Sequence, residues 1–539
     1  MRAPSTLVAL IDGARGEDSA VVFRERTLTY GDLRGESARL ARAMRRRGIG
    51  RGDRVGIWLP NLPGWLVAAF ACWRLGAIAF PLNPRLKAKE LGDLLQRSGC
   101  RAVALLAAGE NVSGRDILRA VPEEQRRSLA LVVALDEPAE PVLPGVAQIG
   151  PRDAAAEEAG GFSDAGPEEG CLVFATSGTT RAPKLVLHRH GRVGRQLAHI
   201  AKDFALAAEA ARMLLALPLS GAFGLTIALV ALCARRPLFV QDKFAPEETA
   251  REMRDRAITH MLGTDDMLDK LLDAVPDEQA FPALRFYGHA NYSPSLTDLP
   301  RRAQQRGVRM RGMYGMSELL AFFAAHPEAA PLERRALGGG LPACPEARVR
   351  VRLLDSGEIA PEGAEGEIEI RSPNLFVEYL GDAEATREAF TPDGYFKTGD
   401  LGYGTGDGGF VYLSRIKDVL RIGGYLVNPA EIEDVVAQAD GIAACQVVAV
   451  PYARSVRPVA CVLMKPGARL DEGVVIERCR STIAIYKTPV RVIAMDSFPT
   501  TDGPNGAKVQ KAVLRDMVVR LLECEADALG GAGGTGSHM

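Results

Sequence analysis

Almost no net charge is present. There are 66 Lys and Arg against 67 Asp and Glu, a formal charge of −1. Such a balance leaves no electrostatic footprint for nucleic acid or an anionic membrane surface. Cysteine is sparse: nine residues stand singly, with no C-x-x-C pair. An odd number without framework spacing excludes a disulfide scaffold, reads as reduced thiols and suggests no zinc site. Long apolar runs are also missing. The most apolar stretch, GWLVAAFACWRLGAIAFPL at 64–82, is broken by Arg74 and ends in Pro81-Leu82. It is too short and too interrupted to span a bilayer. The N-terminal MRAPSTLVALIDGARG has its apolar run broken at Asp12 and lacks a small-residue cleavage site, so it does not read as a signal peptide. There is no internal repeat. These absences predict a cytoplasmic protein with no nucleic-acid partner and no membrane span.

What is present is a chain of 539 residues, enough for three or four structural units at about 150 residues each. Hydrophobic content of 47% and charged content of 25% are ordinary for a globular protein. Strand and helix patterns alternate. DRVGIWLP (53–60) reads as a buried strand, GWLVAAFACWRLG as a helix and AIAFPLN as the next strand. KELGDLLQRSG is an amphipathic helix, and RAVALLA a further strand. This rhythm predicts parallel sheets covered by helices. Residues 137–170, rich in Pro, Gly, Ala and acids, read as a surface connection. From 346 to 414, short strands between glycine turns predict a β-rich subdomain. After 415 a smaller α+β unit follows: NPAEIEDVVAQA and VVIERCRSTI are helices, CQVVAVP and PVACVLMKP are strands. The expected boundaries are 1–414 for the large N-terminal domain and 415–523 for a small C-terminal one. Residues 524–539, ending in GGAGGTGSHM, read as a flexible tail with a cloning scar.

The apolar run CLVFA leads into TSGTTRAPK (176–184). Backbone N–H groups, the hydroxyls of Thr176, Ser177, Thr179 and Thr180, the permissive Gly178 and the Lys184 ammonium would converge on an anion there. Four further stretches follow in order: YGMSE (314–318), YFKTGD (395–400), SRIKDVLRIGGYLVNPAEIE (414–433) and NGAKVQK (505–511). Together the five resemble the adenylate-forming enzymes: acyl-CoA synthetases, peptide-synthetase adenylation domains and beetle luciferases. Flanking LTYGDL, GDRVGIWLPN, PLNPRL and GEIEIRSP agree, and the resemblance runs to about residue 523. Five motifs in order and at the right spacing make it specific.

The resemblance implies an α/β fold: a large N-terminal domain of two helix-covered sheets plus the β-rich subdomain, then a small mobile α+β domain. It implies two-step chemistry. A carboxylate attacks the α-phosphate of ATP, giving an acyl-adenylate and pyrophosphate; a thiol then attacks the mixed anhydride after the small domain swings. ATP or acyl-AMP, CoA and Mg²⁺ are therefore expected. By resemblance Thr176–Thr180, Lys184 and Tyr314 bind nucleotide, Ser317 touches the α-phosphate and Glu318 holds Mg²⁺, a hard cation suited to oxygen ligands. Asp400 accepts the ribose hydroxyls, and Arg415 reaches ribose or phosphate. Lys417 is the hinge, and Gly423-Gly424 approach pantetheine, where only glycine allows close backbone contact. Lys508 bridges the carboxylate and α-phosphate during adenylation. Its lead-in, PTTDGPNGAKVQK, is longer than the family's, and Lys511 competes with it.

Three departures matter. LPLSGAFGL (217–225) has Gly221 where many relatives carry His, and no Asp near 221–224 to pair with an α-amine, which disfavours an amino acid. Gly221, Ala222, Phe223, Tyr287, Gly288 and His289 suggest a roomy apolar pocket for a bulky hydrophobic carboxylic acid, or else simple packing of helix on sheet. His289 and His190 read as structural. In the phosphate loop the family's outer glycines are Arg181 and Leu185. A non-glycine residue in the left-handed region costs about 1 kcal/mol or more, so Arg181 either obstructs the loop or supplies a cation of its own. The expected function is an acyl-CoA ligase whose thioesterification step is better supported than its adenylation step. A loading enzyme for a carrier protein and a non-catalytic adenylate binder are the alternatives, and a homodimer is left open.

Overall fold

The computed structural model describes residues 3–108, 113–160, 162–176, 183–208, 210–277, 279–290, 296, 298–416, 420–422, 425–452, 455–503 and 506–531. Two large sheets carry the N-terminal part. The first has eight strands. Glu378–Tyr379, Leu185–Arg189 and Gly170–Ala175 lie at one side, followed by Ile78–Pro81, Arg54–Trp58, Ala102–Leu105, Leu131–Ala134 and Ala147–Ile149. The strands from Gly170–Ala175 to Ala147–Ile149 pair in parallel, as the βαβ rhythm predicts, and the two before them are antiparallel.

The second sheet has thirteen strands. Its parallel core runs through Met310–Tyr314, Phe286–Ala290, His260–Thr264 and Met213–Leu215. The β-rich stretch is not a separate sheet. Phe410–Arg415 pairs antiparallel with Gly338–Pro342, and through it Phe396–Gly404, Glu365–Arg371 and Arg348–Arg352 extend the same ladder. Glycine turns signal strand ends, but not which edge a strand joins, so the continuity was hidden in the sequence.

The helices Pro63–Arg74 and Ala222–Cys233 are buried almost all round. A helix apolar on every face belongs in the middle of a large core, and one apolar cluster joins Ile57 and Cys171 of the first sheet to Leu214 and Met261 of the second. Arg74, which interrupts this apolar stretch, is fully buried yet paired. Its Nη2 lies 2.6 Å from Asp12 Oδ1, and it donates to the Phe162 carbonyl and the Ser37 hydroxyl. No helix among the described residues is long and apolar enough to cross a membrane.

Residues 137–170 are more than a surface connection. Ala147–Ile149 forms the edge strand, Pro151–Ala155 is a short helix, and Val142, Leu143 and Ile149 are buried. Buried apolar residues every few positions were outweighed in the sequence by Pro and Gly. The C-terminal unit has a three-stranded sheet, Ile442–Tyr452, Ser455–Met464 and Arg491–Ala494. Val447, Ala460 and Val462 face Ile432, Val436 and Cys479, whereas Val448, Val450 and Cys461 face Leu514 and Val518. The period-two alternation of the strands thus feeds two separate apolar layers. The last helix runs Lys511–Gly531, so the expected tail is helical through 531, in keeping with its Leu, Ala and Glu content. All nine cysteines are free thiols, eight of them buried.

Candidate active site

The phosphate-type loop leaves one strand and enters another. Gly170–Ala175 pairs antiparallel with Leu185–Arg189, Ala175 opposite Leu185. Below the loop, the Thr176 amide donates to the Lys184 carbonyl at 2.9 Å, and the Lys184 amide donates to Thr176 Oγ1 at 3.2 Å. Ser177, Gly178, Thr179, Thr180 and Arg181 lie outside the described residues. Leu185 does not sit where glycine is needed. It is a buried strand residue without positive φ, and its carbonyl accepts from the Leu380 amide at 2.7 Å. The replacement of glycine at Leu185 therefore carries no left-handed backbone cost. Leucine serves the ladder and the apolar layer beneath it.

Lys184 is exposed, and its Nζ rests 4.2 Å from the centre of the Tyr379 ring. The Tyr379 hydroxyl donates to Glu318 Oε1 at 2.9 Å. One tyrosine thus touches both the lysine of the loop and the acid of YGMSE. Sequence reading missed it. No local motif marks Tyr379; it arrives because Glu378–Tyr379 pairs with Leu187 and Val186 across the sheet.

Ser317 and Glu318 open a single 3-10 turn after the strand Met310–Tyr314. The turn is tight. Leu320 and Ala321 have φ of 53° and 61°, and a Cβ on Gly315 would stand 1.6 Å from the Ala321 carbonyl oxygen. Gly315 is therefore required by close backbone approach. Two non-glycine residues in the left-handed region cost about 1 kcal/mol each, a strain of the kind concentrated at functional sites. His188 Nε2 lies 2.8 Å from the Ser317 carbonyl and ties this turn to the Lys184 strand. Burial lowers the His188 pKa to about 4, so it is neutral and serves as donor.

Asp400 lies in the strand Phe396–Gly404, directly opposite Arg415. The motif YFKTGD is thus mostly extended strand, with Gly399 at φ 70°. Asp400 is 2% exposed. The Tyr314 hydroxyl donates to Oδ2 at 2.5 Å. Arg415 Nε is 3.0 Å from Oδ1 as an ion pair, but the N–H is not aimed along a hydrogen bond, so among the described residues Oδ1 is buried without a donor. Burial pushes the Asp400 pKa up to about 6, against the lowering effects of Arg415 and the Tyr314 hydroxyl. A buried acceptor lacking its hydrogen bond is costly unless something supplies one. A vicinal diol is a suitable donor, so the residues present fit a ribose.

The structure brings Lys184, Glu318, Tyr314, Asp400 and Arg415 to one region; Glu318 acts electrostatically on Asp400, and Arg415 on Tyr379. Of the six residues expected to line a roomy pocket, Phe223, Tyr287, Gly288 and His289 have packing or hydrogen-bond partners within the fold. Tyr287 is fully buried and donates to the Thr264 carbonyl at 2.9 Å. Met313 Sδ and the Phe286 ring occupy the space a Gly288 Cβ would take. His289 Nε2 lies 3.4 Å from the Arg335 carbonyl, and Phe223 packs edge-on to Phe322. Gly221 caps the buried helix that starts at Ala222. Small residues opened room that neighbours fill, a distinction the sequence does not carry.

In the C-terminal unit, the long lead-in to Lys508 is a β-hairpin. Thr500–Gly503 pairs with Gly506–Val509, and Lys508 faces Thr501. The Lys508 side chain lies outside the described residues. Its competitor is accounted for: Lys511 Nζ is 2.8 Å from Glu433 Oε1, a carboxylate 3% exposed that also accepts from the Val447 amide. Lys417, Gly423 and Gly424 lie outside the described residues; Ile422 faces Tyr425 across the ladder on either side of the glycines.

Comparison with known proteins shows the family and the fold. Residues 12–380 match the AMP-binding enzyme family, and residues 431–503 match the AMP-binding enzyme C-terminal domain. Feruloyl-CoA synthase of Amycolatopsis sp is 32% identical over 508 residues, 90% of this chain and 93% of the relative. Indoleacetate–CoA ligase of Aromatoleum aromaticum is 30% identical, covering 93% and 95%. Among solved structures, ATP-bound MatB from Rhodopseudomonas palustris superposes with a TM-score of 0.82 at 24% identity, covering 95% and 98%. The chain belongs to the AMP-binding enzyme family of adenylate-forming enzymes. Within it, the chain stands with the acyl-CoA synthetases, which are acid–thiol ligases.

Proposed function

We propose that the protein joins a bulky, ring-containing carboxylic acid to CoA through an acyl-adenylate. The observation that carries this reading is Asp400 Oδ1, between Tyr314 and Arg415, buried without a donor among the described residues. That oxygen accepts from a ribose hydroxyl, and the neighbouring guanidinium balances the buried charge. Ser317 and Lys184 meet phosphate oxygens at the other end, where cations and donors aimed at developing charge lower the barrier. Glu318 holds Mg²⁺, which neutralises phosphate charge when bound. Lys508, on its hairpin, draws the carboxylate to the α-phosphate in the first step. Lys417 acts as the pivot between steps, and Gly423-Gly424 admit the pantetheine arm.

The ring-bearing acid is supported by the relatives that act on feruloyl and indoleacetate groups, not by the packed residues around Gly288. The thioesterification half is the better equipped, because AMP recognition rests on the formed Asp400 end. Adenylation leans on the loop bearing Arg181; Leu185 gives no reason to doubt it. The test is to incubate the protein with CoA, ATP–Mg²⁺ and a panel of ferulate, indoleacetate, acetate and phenylalanine, separating products by chromatography. A thioester from a ring-containing acid and none from phenylalanine is expected. Turnover of acetate alone contradicts the proposed substrate class.

A further inference from the structure

We propose that His199, Cys344 and Glu346 form a divalent-metal site, suited to Zn²⁺, that clasps the helix His190–Asp203 to the thirteen-stranded sheet. His199 is half-buried near the end of its helix. Cys344 and Glu346 follow the strand Gly338–Pro342, in a turn closed by the Ala347 amide on the Cys344 carbonyl at 3.1 Å. One nitrogen, one sulfur and one carboxylate oxygen lie within 4.8 Å of one another. Tetrahedral zinc with bonds of roughly 2.0–2.3 Å sets its ligands about 3.3–3.8 Å apart. Closing the difference requires only the half-buried His199 and the exposed Glu346 to adjust their rotamers.

The ligand set is informative. An imidazole, a thiolate and a carboxylate together favour a borderline-soft cation over Mg²⁺ or Ca²⁺. Cys344 Sγ donates to Glu346 Oε2 at 3.2 Å. Metal binding replaces that contact: the S–H bond breaks, a metal–sulfur bond forms, and the proton leaves to solvent. Three protein ligands leave a fourth position for water on the open side, where Glu346 is exposed. Arg195 acts electrostatically on Glu346 and opposes a cation. Its Nε, however, is engaged with Asn374 Oδ1 at 3.1 Å. The expectation of no zinc site rests on cysteine spacing alone; positions 199 and 344 lie 145 apart and form no short motif.

The clasp would reinforce a strand that pairs with Phe410–Arg415, Gly338 opposite Tyr412. The experiment is calorimetric titration of chelator-treated full-length protein with ZnCl₂, beside Co²⁺ absorption spectroscopy. We expect one metal per chain, about one proton released, and a thiolate-to-cobalt band. His199→Ala and Cys344→Ala should weaken binding at least about tenfold, and the band should vanish in the cysteine variant. Cys524→Ser, at the exposed thiol, should change nothing. Because Cys344 is buried, Glu346→Gln at an exposed position serves where Cys344→Ala fails to fold, and it should weaken binding similarly. Absence of stoichiometric binding to the wild type, or unchanged affinity in both His199→Ala and Glu346→Gln, overturns the proposal.

Discussion

The Asp400 end of the site and the Lys184 end are built in opposite ways. Asp400 is buried, set opposite Arg415 by strand register, and receives the Tyr314 hydroxyl. Lys184 is exposed at the mouth of a loop, and its ammonium rests on the Tyr379 ring. The first end is held by strand register and a hydrogen bond within the protein. At the second, under the function proposed above, the ammonium exchanges an aromatic face for phosphate. Preorganised groups lose less on binding than groups that must move, so steps that need only AMP recognition should tolerate damage better than steps that need the loop.

The sharpest break in this comparison is Lys508→Ala. Loss of one cation aimed at developing charge costs about 10²–10³ in rate. We expect pyrophosphate exchange to fall that far while a supplied acyl-adenylate still yields thioester. Lys511→Ala should do the reverse, leaving chemistry in place but removing the partner of buried Glu433. Breaking such a pair costs about 3–5 kcal/mol, discounted because Lys511 is one-quarter exposed. Thermal denaturation measures it.

Next in size is Leu185→Gly. It should fail to improve exchange and should cost about 2–5 kcal/mol, because a buried strand leucine is lost. Arg181→Gly is the informative partner: exchange rises in that variant if the arginine obstructs the loop. Asp400→Ala should weaken AMP binding by roughly 1.5–3 kcal/mol, seen by calorimetry, with unchanged affinity removing Asp400 from the site.

The pH dependence of that end follows. Burial holds the Asp400 pKa near 6. AMP prefers the carboxylate, so affinity should fall as pH drops through about 6 and level off above it; Asp400→Asn should flatten the profile. The sign for folding is opposite. A raised carboxyl pKa favours the folded state at low pH, and that contribution is lost as pH rises through about 6. The smallest effect is Tyr379→Phe. It keeps the ring under Lys184 but removes the hydroxyl from Glu318, a loss of about 1 kcal/mol read as a weaker Mg²⁺ dependence.

Much of this was legible in the chain. The strand at 54–58, the helix at 63–74 and the helix at 429–437 follow from the length of their apolar stretches and the turn residues that flank them. The motif residues Lys184, Glu318, Asp400 and Arg415 were found as candidates because each lies in a short local stretch, and the structure brings them to one region. What the sequence did not show is long-range pairing. Tyr379 enters through a two-residue strand, His188 reaches Ser317 across 129 positions, and the β-rich stretch joins an existing sheet. Gly288 illustrates the same limit in packing: a missing side chain says that something approaches, not whether it is ligand or Met313.

The most direct measurement runs ATP–pyrophosphate exchange with the acid found active beside CoA thioesterification of its preformed adenylate, on the same wild-type preparation. If the Asp400 end is the better preorganised and the Arg181 loop limits the first step, thioester forms readily from the adenylate while exchange is much slower. Exchange at a rate matching the CoA step contradicts that asymmetry and leaves an ordinary two-step ligase.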